Sequence, residues 1–140
     1  MFYVGSYKHA LDAKNRLFIP AKFREHLGNG FFITRKFEPC LSIYSSEEWE
    51  KYAEKIAALP DSVSEDIQDF IFSNTIYVEP DGNGRVVLSN DLIQYAGIDK
   101  NVVIVGAGKQ IKIWAEDKWN QRESNRDYDH MKAVMAEYGL

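Results

Sequence analysis

The chain has 140 residues, 45% hydrophobic and 27% charged, which fits one folded unit with a real core and excludes a disordered or low-complexity chain. No run approaches the roughly 20 apolar residues that span a bilayer, the N-terminus lacks a signal-peptide pattern, and the lone Cys40 has no partner for an internal disulfide, as suits a reducing cytoplasm. The net charge of −4 argues against nucleic acid only until it is mapped: residues 1–40 carry seven basic and three acidic groups, the other hundred ten basic and eighteen acidic. Screening beyond about 10 Å makes such a local basic surplus compatible with phosphate binding.

In chain order, a short strand leads into Asp12, where "DAKNRLFIP" reads as a tight turn closed by Arg16 and followed by a second apolar strand. Pro20 suits the first turn of a short helix over 21–27, which stops at Gly28. Apolar runs at 30–37 and 40–44 read as strands. "SEEWEKYAEKIAAL" then begins a helix at Ser46, with Glu47 and Glu48 in its first turn. Trp49, Tyr52, Ile56 and Leu59 fall at helical spacing on one apolar face. Pro60 closes that helix, and a second is expected over 62–73. At Asp81 the signature returns as "DGNGRVVLS", whose Asp-Gly and Asn-Gly pairs accept positive φ. A helix capped by Ser89 or Asn90 ends near Gly97, strands follow at 101–106 and 110–114, and residues 115–138 read as helical with a break near "SNRD".

The two signatures belong to a longer repeat. Asp12, Arg16, Leu17, Ile19, Phe23 and Gly28 fall on Asp81, Arg85, Val86, Leu88, Leu92 and Gly97, each 69 positions on. With small indels of the kind loops tolerate, "FFIT" at 31–34 falls on "VVIV" at 102–105, and Trp49 falls on Trp119. The sequence therefore divides into repeat one at about 7–50, a helical insert at about 51–74, repeat two at about 75–120 and a C-terminal helix at about 121–140, all within one domain. Strands and short helices alternate in units too short for parallel crossovers, which predicts an antiparallel α+β, barrel-like core. Two interlocked units would close the strand edges that one unit leaves open.

In a hairpin with a three-residue loop, the residues flanking the loop stand opposite each other, so Asp12 pairs with Arg16 and Asp81 with Arg85. The bland reading is a surface ion pair pinning each hairpin. The functional reading is that each carboxylate holds a guanidinium in one rotamer, so that its free N–H groups form a fork matching guanine edges or phosphate oxygens. Lys14, Asn15 and Asn83 in the turns would add phosphate or base contacts, Gly82 and Gly84 would allow close approach, and a two-stranded ribbon fits the major groove.

"HALDAKNRLFIPAKFR" from His9, "DGNGRVVL" from Asp81 and the tryptophan-bearing ends of both units resemble the MraZ family across nearly the whole chain. The resemblance implies a swapped-hairpin β-barrel of AbrB type, built from two intrachain repeats with flanking helices. It also implies a ring of protomers, often eight, that binds repeated elements of double-stranded DNA upstream of the division and cell-wall gene cluster, its own promoter included, as a repressor at the nucleoid. By position Arg16 and Arg85 would be the principal DNA-contacting residues, Asp12 and Asp81 would orient them, and Lys14, Asn15, Asn83, Lys8 and His9 would lie around them. The chain departs from the family pattern at Ser89, where Pro is usual, and at Ile93, the counterpart of Arg24, where Arg is common. The first copy is accordingly expected to dominate affinity. The contrasting reading is a ring-forming structural protein whose Asp–Arg pairs are assembly contacts.

Other motifs fail on their chemistry. "DGNGR" opens like a calcium loop but places Arg85 and Leu92 where oxygen ligands are needed. "GAGKQ" at 106–110 lacks the earlier glycine and the Ser/Thr of a phosphate loop. His9, His26, His130 and Cys40 show no metal-ligand spacing, and no nucleophile–base signature appears, so neither a metal, nor a cofactor, nor catalysis is expected.

Overall fold

The chain enters β1 (Ser6–Ala10), rounds the Asp12 turn and runs through β2 (Arg16–Phe18) into helix α1 (Ala21–Leu27) in the computed structural model, which describes residues 1–140. A hairpin of β3 (Phe31–Arg35) and β4 (Leu41–Ser45) follows, then α2 (Ser46–Ala57) and α3 (Asp61–Phe72). The second repeat retraces the path as β5 (Ile76–Val78), β6 (Arg85–Val87), α4 (Asn90–Ala96), β7 (Asn101–Ala107) and β8 (Gln110–Ala115), before α5 (Glu116–Ser124) and α6 (Tyr128–Glu137).

Local chemistry sets most boundaries. Pro20 stands just before α1 with extended backbone, φ −50° and ψ 138°, while its carbonyl accepts from Phe23 and Arg24 N–H. Ser45 caps α2 in place of the expected Ser46, its Oγ accepting from Glu48 N at 3.3 Å. That helix stops at Ala57, which leaves Leu59 off the apolar face and 38% exposed. Ser89 caps α4 through Leu92 N, and Gly97 ends it in the left-handed conformation at φ 64°.

The strands flanking each Asp–Arg turn do not pair with each other, contrary to the simple hairpin expected from sequence. β2 pairs antiparallel with β6, while β1 pairs with β7 and β5 with β3. Every such partnership joins one repeat to the other. The result is a six-stranded sheet, β1-β7-β8-β4-β3-β5, and a separate β2–β6 ribbon. The expected barrel does not close as a hydrogen-bonded ladder. β1 hands its pairing on to β7 as far as Leu11 N–H, bonded to the Lys100 carbonyl at 2.9 Å, and the turn then carries β2 away from that sheet.

The sheet order reads the same when the repeats are exchanged, so a pseudo-two-fold axis relates them. The β4–β8 register centres on Ser42 opposite Lys112, and the ribbon register on Leu17 opposite Val86. The register also places His9 and Val78 as counterparts, since His9 pairs with Val102 and Val78 with Phe31. Leu17 and Val86, 0% and 2% exposed, plug the underside of the ribbon into a core with Ile33, Ile43, Ile104 and Ile113. Each such side chain contributes about 1.5–3 kcal/mol by leaving water. On the opposite face of the sheet α2 and α3 cover the first repeat, and α5 covers the second. Arg35 clamps α3, donating Nε to the Phe70 carbonyl at 2.8 Å and resting 4.0 Å from the Phe70 ring.

Candidate nucleic-acid interface

Each signature aspartate organises its own turn. Asp12 Oδ1 accepts from the backbone N–H of Lys14 and of Arg16, both at 2.9 Å, while its Oδ2 accepts Arg16 Nε at 2.6 Å. Asp81 does the same for Asn83 N and Arg85 N at 2.9 Å and for Arg85 Nε at 3.2 Å. Asn15, at φ 60°, takes the left-handed position that Gly84 takes in the second turn at φ 78°. The carboxyl groups of Asp12 and Asp81 are held below the usual carboxylate value of 3.8. The largest cause in each is the backbone N–H of the arginine four residues on, acting against a desolvation cost, with further help from the arginine side chain and the intervening backbone N–H.

Strand alternation decides what the ribbon presents. Leu17 and Val86 point inward, so Arg16, Phe18, Arg85 and Val87 share the outward face. Arg16 lies opposite Val87 and Arg85 opposite Phe18, which sets the arginines on a diagonal. They are close enough for Asp12 Oδ2 to stand 3.7 Å from Arg85 Nη1 as well as 2.6 Å from Arg16 Nε. With each Nε tied to its own aspartate, the Nη groups of two preset guanidinium forks, apart from Arg85 Nη1 beside Asp12, remain for an acceptor outside the protein.

A family model described as "MraZ protein, putative antitoxin-like" matches residues 2–69 and 71–136. The chain belongs to the MraZ family. It is similar to a protein of Carboxydothermus hydrogenoformans, 44% identical over 143 residues with 99% of each chain covered, and to one of Clostridium tetani, 37% identical over 142 residues with 99% of each covered. A third relative, from Dictyoglomus thermophilum, is 44% identical over 121 residues, covering 85% of this chain and 83% of its own. All three bear the name transcriptional regulator MraZ. The two matched segments of the MraZ model each contain one Asp–Arg turn, so the family pattern and the pseudo-two-fold axis divide the chain alike.

Within this MraZ-family fold the other sequence-predicted residues are placed unequally. Lys14 and Asn83 stand exposed at the two turn tips beside the arginines. Asn15 is engaged, donating Nδ2 to Asn90 Oδ1 at 2.9 Å. His9 faces the ribbon, its ring 5.2 Å from that of Phe18. Lys8 lies on the opposite face of β1, opposite Val103 and not among the core-facing neighbours of His9, so the fold does not bring it to the arginines. Gly82 is open, but Gly84 is closed over by Arg24, whose Cζ would stand 2.7 Å from a Cβ there. Phe18 is the site residue that motif reading passed over, and Arg24 entered it only as the basic counterpart of Ile93. Period-two alternation from Arg16 marks Phe18, and the Asn15-to-Gly84 exchange between repeats marks the space Arg24 takes. No three His, Cys, Asp or Glu groups converge to hold a metal ion, and no helix is long and apolar enough to cross a membrane.

Proposed function

We propose that the chain is a sequence-specific DNA-binding regulator of transcription that meets duplex DNA with the outward face of the β2–β6 ribbon. One observation carries the reading: the swapped pairing sets two arginines side by side on an exposed face, each with its Nε already held by its own aspartate. A two-stranded ribbon fits the major groove, and a guanidinium fork matches guanine O6 and N7. Lys14 and Asn83 at the turn tips stand where flanking phosphates would pass, and phosphate contacts position while base contacts specify. The names of the relatives support the regulatory role. The same likeness favours repression of the division and cell-wall gene cluster, including its own promoter, in the cytoplasm at the nucleoid, without cofactor or catalytic role.

One ribbon is a small footprint, so the working form is a ring of about eight copies on repeated elements, gaining affinity by avidity. Two surfaces suit that assembly. Phe32, Trp49, Ala53, Ala57, Phe72 and Tyr77 line an apolar groove of about 540 Å³ with Glu50 and Glu54 on its wall. Helix α6 is exposed along its whole length and carries Tyr128, Met131 and Met135 at i, i+3 and i+7, with Tyr138 continuing the stripe at its C-cap and Lys132 alongside. The α6 stripe of one copy fits the groove of the next, with Lys132 set against the groove glutamates.

Fluorescence anisotropy on the chain's own upstream DNA and on scrambled DNA, across a salt series and with oligomer mass followed, tests the reading. Arg16→Ala and Arg85→Ala should each weaken specific binding by roughly 5–150-fold at constant mass. Weak, indiscriminate binding with mutants that fall into smaller species would make the Asp–Arg pairs assembly contacts instead.

A further inference from the structure

The pseudo-two-fold axis relates the backbone of the ribbon but not the side chains around it. Each arginine is held by the aspartate of its own repeat, but the swap gives it cross-strand neighbours from the other repeat, and for Arg85 these include Asp12, whose Oδ2 stands 3.7 Å from Nη1. Arg85 lies opposite Phe18, whose ring is 5.2 Å from His9 and 5.4 Å from the Arg24 guanidinium. The counterpart neighbours of Arg16 are Val87 for Phe18, Val78 for His9 and Ile93 for Arg24, all apolar. The first turn adds only Lys14, exposed at its tip. The basic surplus of the first forty residues is thus delivered in part to the arginine of the second repeat.

Arg24 is held in place. Its Nε donates to the Ile19 carbonyl at 2.8 Å, and its guanidinium lies over Gly84, where a Cβ would approach Cζ, Nε and Nη2 to 2.7, 2.8 and 2.9 Å. The first turn has Asn15 at that position, its side chain spent on Asn90. Arg24 makes no ion pair, although Glu25 and Asp81 line the same depression, and its Nη groups have no acceptor in the protein. A guanidinium anchored through Nε, half-buried, with its remaining donors unspent beside the DNA-facing ribbon, is built for an external oxyanion.

We infer that Arg24 is a third DNA-contacting arginine, binding a backbone phosphate that flanks the bases reached by Arg85, and that it gives the footprint of each chain a direction. Two arginines on a dyad alone would read a pseudo-palindromic element. The third, present at one end only, fixes which way the chain lies on an element without such symmetry.

This inference rests on the ribbon reading, and the experiment separates the two. Wild type, Arg24→Gln, Arg24→Ile, Arg16→Ala and Arg85→Ala are titrated against the chain's own upstream DNA across a salt series, with thermal melts recorded for each variant. Arg24→Gln, which keeps a polar side chain of similar reach, guards against a fold loss in Arg24→Ile. Both Arg24 variants should weaken binding to specific and scrambled DNA by a similar factor and make the slope of log K against log salt shallower by about 0.9, the value of one phosphate contact. Replacing single phosphates with neutral methylphosphonates should cost wild-type affinity more at one flank of the element than at the other, and Arg24→Gln should erase that difference. An unchanged salt slope or equal flanks in a folded Arg24→Gln protein would overturn the inference, while Arg16→Ala and Arg85→Ala would still abolish discrimination. If those two variants also bind as wild type, the ribbon reading fails with it.

Discussion

At the residue scale, the aspartates matter more than the ion pairs they form. Asp12 accepts three hydrogen bonds, two from backbone, so it shapes the turn and aims Arg16 at once. Simple Coulomb reasoning says that removing an acid beside DNA should tighten binding. The geometry says the opposite, because a guanidinium released from Oδ2 loses its fixed fork. Asp12→Ala should therefore bind its element roughly tenfold more weakly, the scale of one good bidentate base contact, although the chain becomes less acidic; anisotropy against scrambled DNA separates the two accounts. The pH dependence follows from the lowered carboxyl values. A folded-state value below 3.8 means that the turn stabilisation is fully present above that ordinary value and fades as pH falls through the lower folded one. Melts of wild type and Asp12→Asn should differ at pH 5 and converge on acidification. Cys40 behaves in the contrary sense: burial pushes its thiol up to about 11, so it should react slowly with thiol reagents until the chain unfolds.

At the scale of elements, the ribbon is only three residues a side, and its position depends on what lies beneath and at its ends. Leu17 is fully buried on the axis, so Leu17→Ala should cost about 2–5 kcal/mol and lower the melting temperature by several degrees. Gly84→Ala combines a left-handed φ of 78° with a Cβ 2.7 Å from the Arg24 guanidinium, and should cost more than about 1 kcal/mol. Asn15→Gly, at the matching position, should be much milder for the fold; chemical denaturation of the pair measures the contrast. The repeat, the turns and the short helices were legible because each depends on nearby residues: Asp with Arg four on, Ser89 with Leu92, Gly97 after α4. Strand partnership was not. A turn closed by Asp and Arg has the same local hydrogen bonds whether its strands pair with each other or with those of the other repeat. Leu17 and Val86 read as inward in either case, so only the assembled core chooses. The same blindness hid Phe18 and the placement of Arg24, whose partners Arg85 and Gly84 lie more than fifty residues away.

At the scale of the whole molecule, the chain is a dyad with unequal appendages. The second repeat ends in α5 and then α6, which packs on no other element of the chain to any extent: Tyr128, Met131 and Met135 of α6 and Tyr138 at its C-cap are 66%, 43%, 51% and 77% exposed. A helix of ten residues is marginal alone in water, so an apolar stripe left bare argues for a partner that stabilises it. The groove beside α2 is the complementary feature, with Ala53 and Ala57 one helical turn apart admitting close approach and Glu50 and Glu54 answering Lys132. In the assembly proposed above, groove and helix lie on different parts of the chain, so their contact would be heterologous and would propagate until it closed on itself. Met135→Glu and Ala53→Glu should each reduce the particle to smaller species in analytical ultracentrifugation while the melting of the barrel-like core stays close to wild type, since neither residue belongs to that core. Binding to a single DNA element should survive in both variants, and binding to tandem elements should lose the avidity gain of about 10²–10⁴. If mass and tandem affinity both hold in Met135→Glu and Ala53→Glu, the proposed ring would have to use other surfaces, and α6 would face a partner other than its own chain.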